Sequence, residues 1–461
     1  GPSRCLDAFI VALNESSKGL RLFGSTTALQ LASVDFCAAC RSSSTFSLHA
    51  DIRTPKHLWR DVTDPATRHA EQVCSPRVPC LRFRRVWWHL PGWALEHARE
   101  RLSGLEQLFL CGDVDPWLDE VVWPHRLQKL TFGRDFNQSI DRIAWPAELQ
   151  QLHVGKVFDQ PIENVLWPSQ IQKITFGGAF NQPIENVAWP CSLQKLTFGL
   201  LFDQPIDKVA WPAELQELYF GGHFNQPIDR VSWPAKLQVL TFGKNFRQPI
   251  DRVAWPAQLQ VLAFGQGFNQ PIEMVAWPAK LRKLRLGSFF NQPIKNVAWP
   301  CSLQELVLGG VFNHPIERVT WPAQLRKLRF GNAFNQPIED VAWPCSLQQL
   351  VFYMAFNQPI ERVMWPAKLE SLRFGYHFNY AITGVTWPAS LQKLTFGRCF
   401  NCPINSVTWP ASLKRLDFGD EFNQPIDGVT WPASLHQLTF GNRFNCPINS
   451  VTWPASLQQL V

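Results

Sequence analysis

Charge is scarce in this chain. Asp, Glu, Lys and Arg make up 18% of its 461 residues, below the roughly 25% of typical soluble proteins. Long apolar runs are missing too. The longest of note, residues 8–13, has six residues, far short of the ~18 that a membrane-spanning helix needs. The chain carries no such span. A strong net charge is also lacking: the balance is +7, of which +5 falls on residues 1–104. A balance this small does not point to nucleic acid as the partner, and none is expected. Walker loops, GxSxG and HExxH are absent, which removes the phosphate-cradling, nucleophile-elbow and zincin chemistries those motifs carry. Tyr and Met are rare, at 4 and 3 residues. Phe and Trp, in contrast, reach 34 and 21. One short motif copied many times gives such an imbalance; an ordinary mixed core does not.

The copied motif is 22 residues long. Sixteen tryptophans, from Trp123 through Trp145, Trp167 and Trp189 to Trp453, keep one phase, and a Pro follows each. A full unit, residues 127–148, reads LQKLTFGRDFNQSIDRIAWPAE, with an apolar skeleton of Leu127, Leu130, Phe132, Phe136, Ile140, Ile143 and Trp145. Such a period identifies stacked coils. Lys129, Leu130, Thr131 and Phe132 alternate polar and apolar, the pattern of a strand. Gly133 then permits a sharp turn, and Pro146, lacking an N–H, closes the segment that ends in Trp145. Phe, Ile and Trp are all expected to face inward. One such coil does not bury enough to offset the entropy of ordering it, so stability requires stacking. Asn137, Asn181, Asn225 and Asn269 recur in phase, with Asp159 and Asp203 as substitutes and Arg247 as the gross departure. They predict a ladder of buried amides bonding neighbouring backbones.

The run LTFGxxFNQPIxxVxWPxxLQ resembles the FNIP repeat, a relative of the leucine-rich repeat, over residues 105–461. Family repeats usually place Leu before the Pro, where this chain has Trp. The resemblance implies a mainly β, leucine-rich-repeat-like solenoid of about 16 repeats and a binding role. It also implies an F-box or kinase in some members, and neither motif is found in residues 1–104. An earlier, decayed coil is expected at Leu105, Leu108, Leu110, Val114, Leu118, Val121 and Trp123. Residues 1–104 are expected to form a mixed, partly helical N-terminal cap, with apolar residues at helical spacing over 93–105. Each coil is left with either one strand or three short sides.

Chemistry-bearing residues are dispersed. His153, His223, His314, His377 and His436 are scattered over the repeat, and the pair that shares a phase, His223 and His377, is seven coils apart, so they build no common site. The acidic row of Asp141, Glu163, Glu185 and Asp207 is interleaved with cations such as Arg142 and Lys208, the mark of a solvated face. Cys191, Cys301 and Cys345 share one phase, and Cys402 and Cys446 another, with members at least two coils apart. Two coils span ~9.6 Å, beyond the ~7 Å between Cα atoms that a disulfide bridges. Free thiols favour an intracellular, reducing compartment. Cys37, Cys40, Cys74 and Cys80 have a spacing too long for a usual zinc knuckle. No cofactor and no metal are expected.

The informative positions are the outward strand residues that leave the consensus. Val239 and Val261 make an apolar stretch, followed by Lys283, Arg285, Lys327, Arg329 and Arg373, with valines between. They predict a protein-binding footprint on a concave parallel sheet, suited to a partner with an acidic surface. Arg82, Arg84 and Arg85 beside Trp87 and Trp88 form a second basic–aromatic cluster, which suits RNA or an acidic partner, while packing against the cap helix accounts for the tryptophans equally well. The sequence therefore reads as a non-catalytic binding scaffold. The alternative is a constitutive structural subunit of a large assembly. The array stops at Leu460-Val461 with no cap motif, so a partner, a second copy or further repeats are expected on that end.

Overall fold

The computed structural model describes residues 105–110, 118, 121 and 123–461, together with the backbone of Arg85–Trp88. The expected helix over 93–105, the Cys37/Cys40/Cys74/Cys80 group, and Arg82 and Arg84 of the second cluster lie outside the described residues, apart from Leu105. The chain divides into two compact units. One runs to Gln204 and includes residues 209–215; the other holds residues 205–208 and 216–461.

In the first unit the described strands are β1 (Arg85–Trp88), β2 (Gln107–Leu110), β3 (Lys129–Phe132), β4 (Gln151–His153), β5 (Lys173–Thr175) and β6 (Lys195–Thr197). Each pairs in parallel with the next, displaced by the 22-residue period, as in Arg85↔Gln107 and Lys129↔Gln151. The sheet thus takes in a strand one period before the 105 start. The decayed coil is built as expected where it is described: Leu105, Leu108, Leu110, Leu118, Val121 and Trp123 are all buried.

The second unit repeats the plan. Its strands are β7 (Glu217–Tyr219), β8 (Val239–Thr241), β9 (Val261–Ala263), β10 (Lys283–Arg285), β11 (Glu305–Val307) and β12 (Lys327–Arg329). They continue with β13 (Gln349–Val351), β14 (Ser371–Arg373), β15 (Lys393–Thr395), β16 (Arg415–Asp417), β17 (Gln437–Thr439) and β18 (Gln459–Leu460). Successive strands are again parallel and in phase. Each coil has one short strand, and turns and extended backbone complete it.

The middle residue of each three-residue strand points inward, and its neighbours point outward, as the alternation requires. In the coil that begins at Leu325, the side chains of Leu325, Leu328, Phe330, Phe334 and Ile338 are fully buried. Phe330 and Phe334 stack at 4.1 Å, and Phe334 stacks on Phe356 of the next coil at 6.2 Å. Pro works as expected at the turn, and its carbonyl also accepts a hydrogen bond, as from Leu325 N–H to Pro322 at 3.0 Å. Glycine after the strand is favoured by close approach rather than by an unusual φ. A Cβ on Gly331 would sit 1.8 Å from the Gly309 carbonyl oxygen. Tyr353 takes that place in one coil, with its side chain exposed.

Two expectations are corrected. The tryptophans form an inter-coil stack, such as Trp277 on Trp299 at 6.4 Å, but most are only half-buried, and Trp321, at 8% exposed, is among the best covered. They rim the core, while Phe, Leu and Ile fill it. A bulky indole at the end of a short extended segment has room only at the edge of so narrow a coil. The amide ladder exists, but on the surface: no polar side chain is buried among the described residues. Asn335 Oδ1 accepts from the Asn357 N–H at 2.9 Å and from Gln358 Nε2 at 3.0 Å, and Asn313 does the same for Asn335. Water reaches this edge because the FNQPI segment is an outer bend of the coil.

Candidate functional site

Parallel pairing with a 22-residue offset turns each position of the repeat into a column, and the strands carry two outward columns. In the second unit, one runs Val239, Val261, Lys283, Glu305, Lys327, Gln349 and Ser371. The other runs Thr241, Ala263, Arg285, Val307, Arg329, Val351 and Arg373. All seven residues expected in the footprint therefore stand on one face of β8 to β14, and none is buried. Lys283 Nζ lies 4.0 Å from Glu305 Oε2. Arg285, Lys327, Arg329 and Arg373 have no ion pair among the described residues. The strip is apolar at β8 and β9, and from β10 onward cations and valines alternate.

This alternation has a period of two coils, visible as LRKLR at 281–285 and 325–329 and as LQELV and LQQLV at 303–307 and 347–351. The signal was available in the sequence, yet residue-by-residue reading passed over Arg282 and Arg326, which are exposed just before β10 and β12. Exposed turn residues after the strands were passed over as well: Phe289 is 46% exposed and Val311 41%.

Elsewhere the groups are spread out. The equivalent face of the first unit places His153 between the strands that carry Lys129 and Lys173. Partial desolvation of the ring, and then those two ammonium groups, push its pKa below the ordinary 6.5, although the side chain is exposed at its rim. Cys191, Cys301, Cys345, Cys399, Cys402 and Cys446 are free. Partial burial raises the Cys402 thiol pKa, and its Sγ lies 3.4 Å from Asn379 Oδ1, where most repeats have Gln. Cys399 Sγ lies 3.9 Å from His377 Nδ1. Among the described residues, no three His, Cys, Asp or Glu side chains gather as metal ligands, and no helix is long and apolar enough to cross a membrane. An open groove of about 590 Å³ lies between two Trp-Pro segments and is lined by Lys295, Asn296, Trp299, Cys301, Trp321 and Pro322 among others. Its lining has no carboxylate or imidazole to pair with the thiol as a base.

A family model described as FNIP Repeat matches seven segments: 158–201, 202–245, 224–267, 290–333, 334–377, 378–421 and 422–460. The crystal structure of CroV588, described as a novel circular LRR protein structure, is similar at 38% identity and a TM-score of 0.66. The match covers 79% of this chain and 57% of that one, so this chain spans a little over half of its relative's length. A chain of the glycosylated Toll–Spatzle complex from Drosophila is similar in fold alone. It has 13% identity and a TM-score of 0.52, with 79% of this chain and 58% of that one covered. No curated protein sequence matches significantly.

Proposed function

The chain belongs to the FNIP repeat family, and on that premise we propose that it is a non-catalytic scaffold whose outward strand face on β8–β14 holds a protein partner. The observation that carries this reading is the pair of in-register columns. Val239, Val261, Lys283, Arg285, Lys327, Arg329 and Arg373 share that face, where the repeat elsewhere often presents Lys and Thr. An apolar patch beside cations, of which only Lys283 has an ion pair among the described residues, combines the two ingredients of a recognition surface: area to desolvate, and charge to select and orient the partner. Leucine-rich-repeat-like folds are commonly used for protein interaction, which supports the same reading. Residues 1–104 are read as the cap of the array.

Affinity capture from a cell extract tests it, comparing the wild-type chain with a variant in which Lys283, Arg285, Lys327 and Arg329 are all changed to Glu. At least one protein should be retained by the first and lost by the second, with both melting alike. Recovery of the same proteins by both would remove this face from the binding role.

A further inference from the structure

We propose that β10 to β14 dock an acidic amphipathic α-helix laid across the strands, with carboxylates one heptad apart on Arg285, Arg329 and Arg373 and apolar side chains between them on Val307 and Val351. This rests on the reading that the strand face binds protein, and it names the partner's chemistry.

The argument is one of spacing. The column reads Arg285, Val307, Arg329, Val351, Arg373 on five successive paired strands. Neighbouring parallel strands are ~4.8 Å apart, so the guanidinium stems recur every ~9.6 Å with a valine halfway. An α-helix rises ~1.5 Å per residue, so positions seven apart are ~10.5 Å apart and lie on nearly one face. An apolar residue three positions after each acid falls ~4.5 Å along, over the valine. The mismatch accumulates to ~1.8 Å over two heptads, which long, flexible cationic stems absorb. An extended strand fits poorly, because its same-face residues repeat every ~6.8 Å.

Charge agrees with the spacing. Lys283 and Lys327 stand on the same strands as Arg285 and Arg329, so two of the three carboxylates have a second cation beside them, while the third, on Arg373, has Ser371. Glu305 lies 4.0 Å from Lys283 Nζ, which offsets part of its repulsion of an incoming acid. A nucleic acid suits the face less well. The outward positions of β8 to β14 contain no aromatic ring on which bases stack, and valines would face phosphate oxygens without offering a donor.

The probe is a fluorescent three-heptad peptide with Glu at the first and Leu at the fourth position of each heptad. It is compared with an isomer whose Glu residues are irregularly spaced, and with an oligothymidylate. Anisotropy titration against the whole chain should favour the regular peptide by roughly tenfold over its isomer. Arg285→Glu with Arg329→Glu should weaken it by roughly tenfold or more, through lost pairs plus repulsion. Val307→Ser should weaken it less, and Lys173→Glu in the other unit should leave it unchanged. Matching thermal melts confirm that each variant folds. Equal binding of the isomer, indifference to charge reversal, tighter binding of the oligonucleotide, or no peptide binding each overturns the helix proposal. The scaffold reading survives any of these if the captured partner is still lost from the charge-reversed chain, and it fails separately if no such partner exists.

Discussion

Removing one rung of the asparagine ladder separates its hydrogen-bonding role from mere surface tolerance. In Asn335→Ala the Asn357 N–H loses its acceptor at 2.9 Å and Gln358 Nε2 loses Oδ1 at 3.0 Å, while the Asn335 N–H keeps its own bond to Asn313. A net hydrogen bond contributes about 0.5–1.5 kcal/mol, and an orphaned donor costs more if water is kept away. This edge is only part-buried, so water partly repairs the loss and the expected cost is about 1–2 kcal/mol. Asn335→Asp retains an acceptor of the same shape. The array already uses that solution at Asp159, whose Oδ1 accepts from the Asn181 N–H at 2.8 Å, so this variant should be close to neutral. Arg247 supplies the converse test. Its own N–H bonds to Asn225 Oδ1 at 2.8 Å, but its side chain offers no acceptor to the next coil. Arg247→Asn should restore a rung and stabilise by about 0.5–1 kcal/mol. Urea unfolding followed by circular dichroism gives the order Arg247→Asn above wild type, Asn335→Asp level with it and Asn335→Ala below. Amide exchange at Asn357 should accelerate only in the Ala variant. Equal losses for Ala and Asp, or unchanged exchange at Asn357 in the Ala variant, would refute the hydrogen-bonding account and leave side-chain shape as the cause.

Phe334→Ala should cost about 3–5 kcal/mol through a closed cavity, since the ring is fully buried between Phe312 and Phe356. Trp277→Ala should cost less, about 2–3 kcal/mol, because the half-buried ring leaves a gap that is open to water; a larger loss for Trp277 than for Phe334 in thermal or urea unfolding would reinstate the tryptophans as the core. His153 has a folded pKa depressed below 6.5 by partial desolvation, Lys129 and Lys173, so the unfolded chain takes up the proton more readily. Stability from this group should be full above pH 6.5 and fall as the pH drops through the folded value. Denaturation midpoints across that window should flatten in His153→Gln, and an unchanged slope would show that the imidazole is not the responsible group.

How much was legible in the sequence depends on the distance over which each feature is decided. The period, the strand at KLTF, the turn at Gly and Pro, and the inward Leu–Phe–Ile set follow from side-chain size and alternation within one coil, so residues 127–148 were enough to read them. The outward placement of Lys283, Arg285, Lys327 and Arg329 was legible for the same reason, since a strand with a buried Leu in the middle leaves its neighbours no other side. Depth was not legible. Trp277 and Asn335 have fixed places in the repeat, yet whether such a place is covered depends on coil cross-section and on where the backbone bends, and no local pattern encodes either. The structure alone decided that indoles rim the core and that the amide ladder runs along a wet edge. It also supplied the pairing that puts Arg285, Val307 and Arg329 side by side. In the chain they are 22 residues apart; only stacking, driven by coils that cannot bury their apolar side chains alone, makes them one surface.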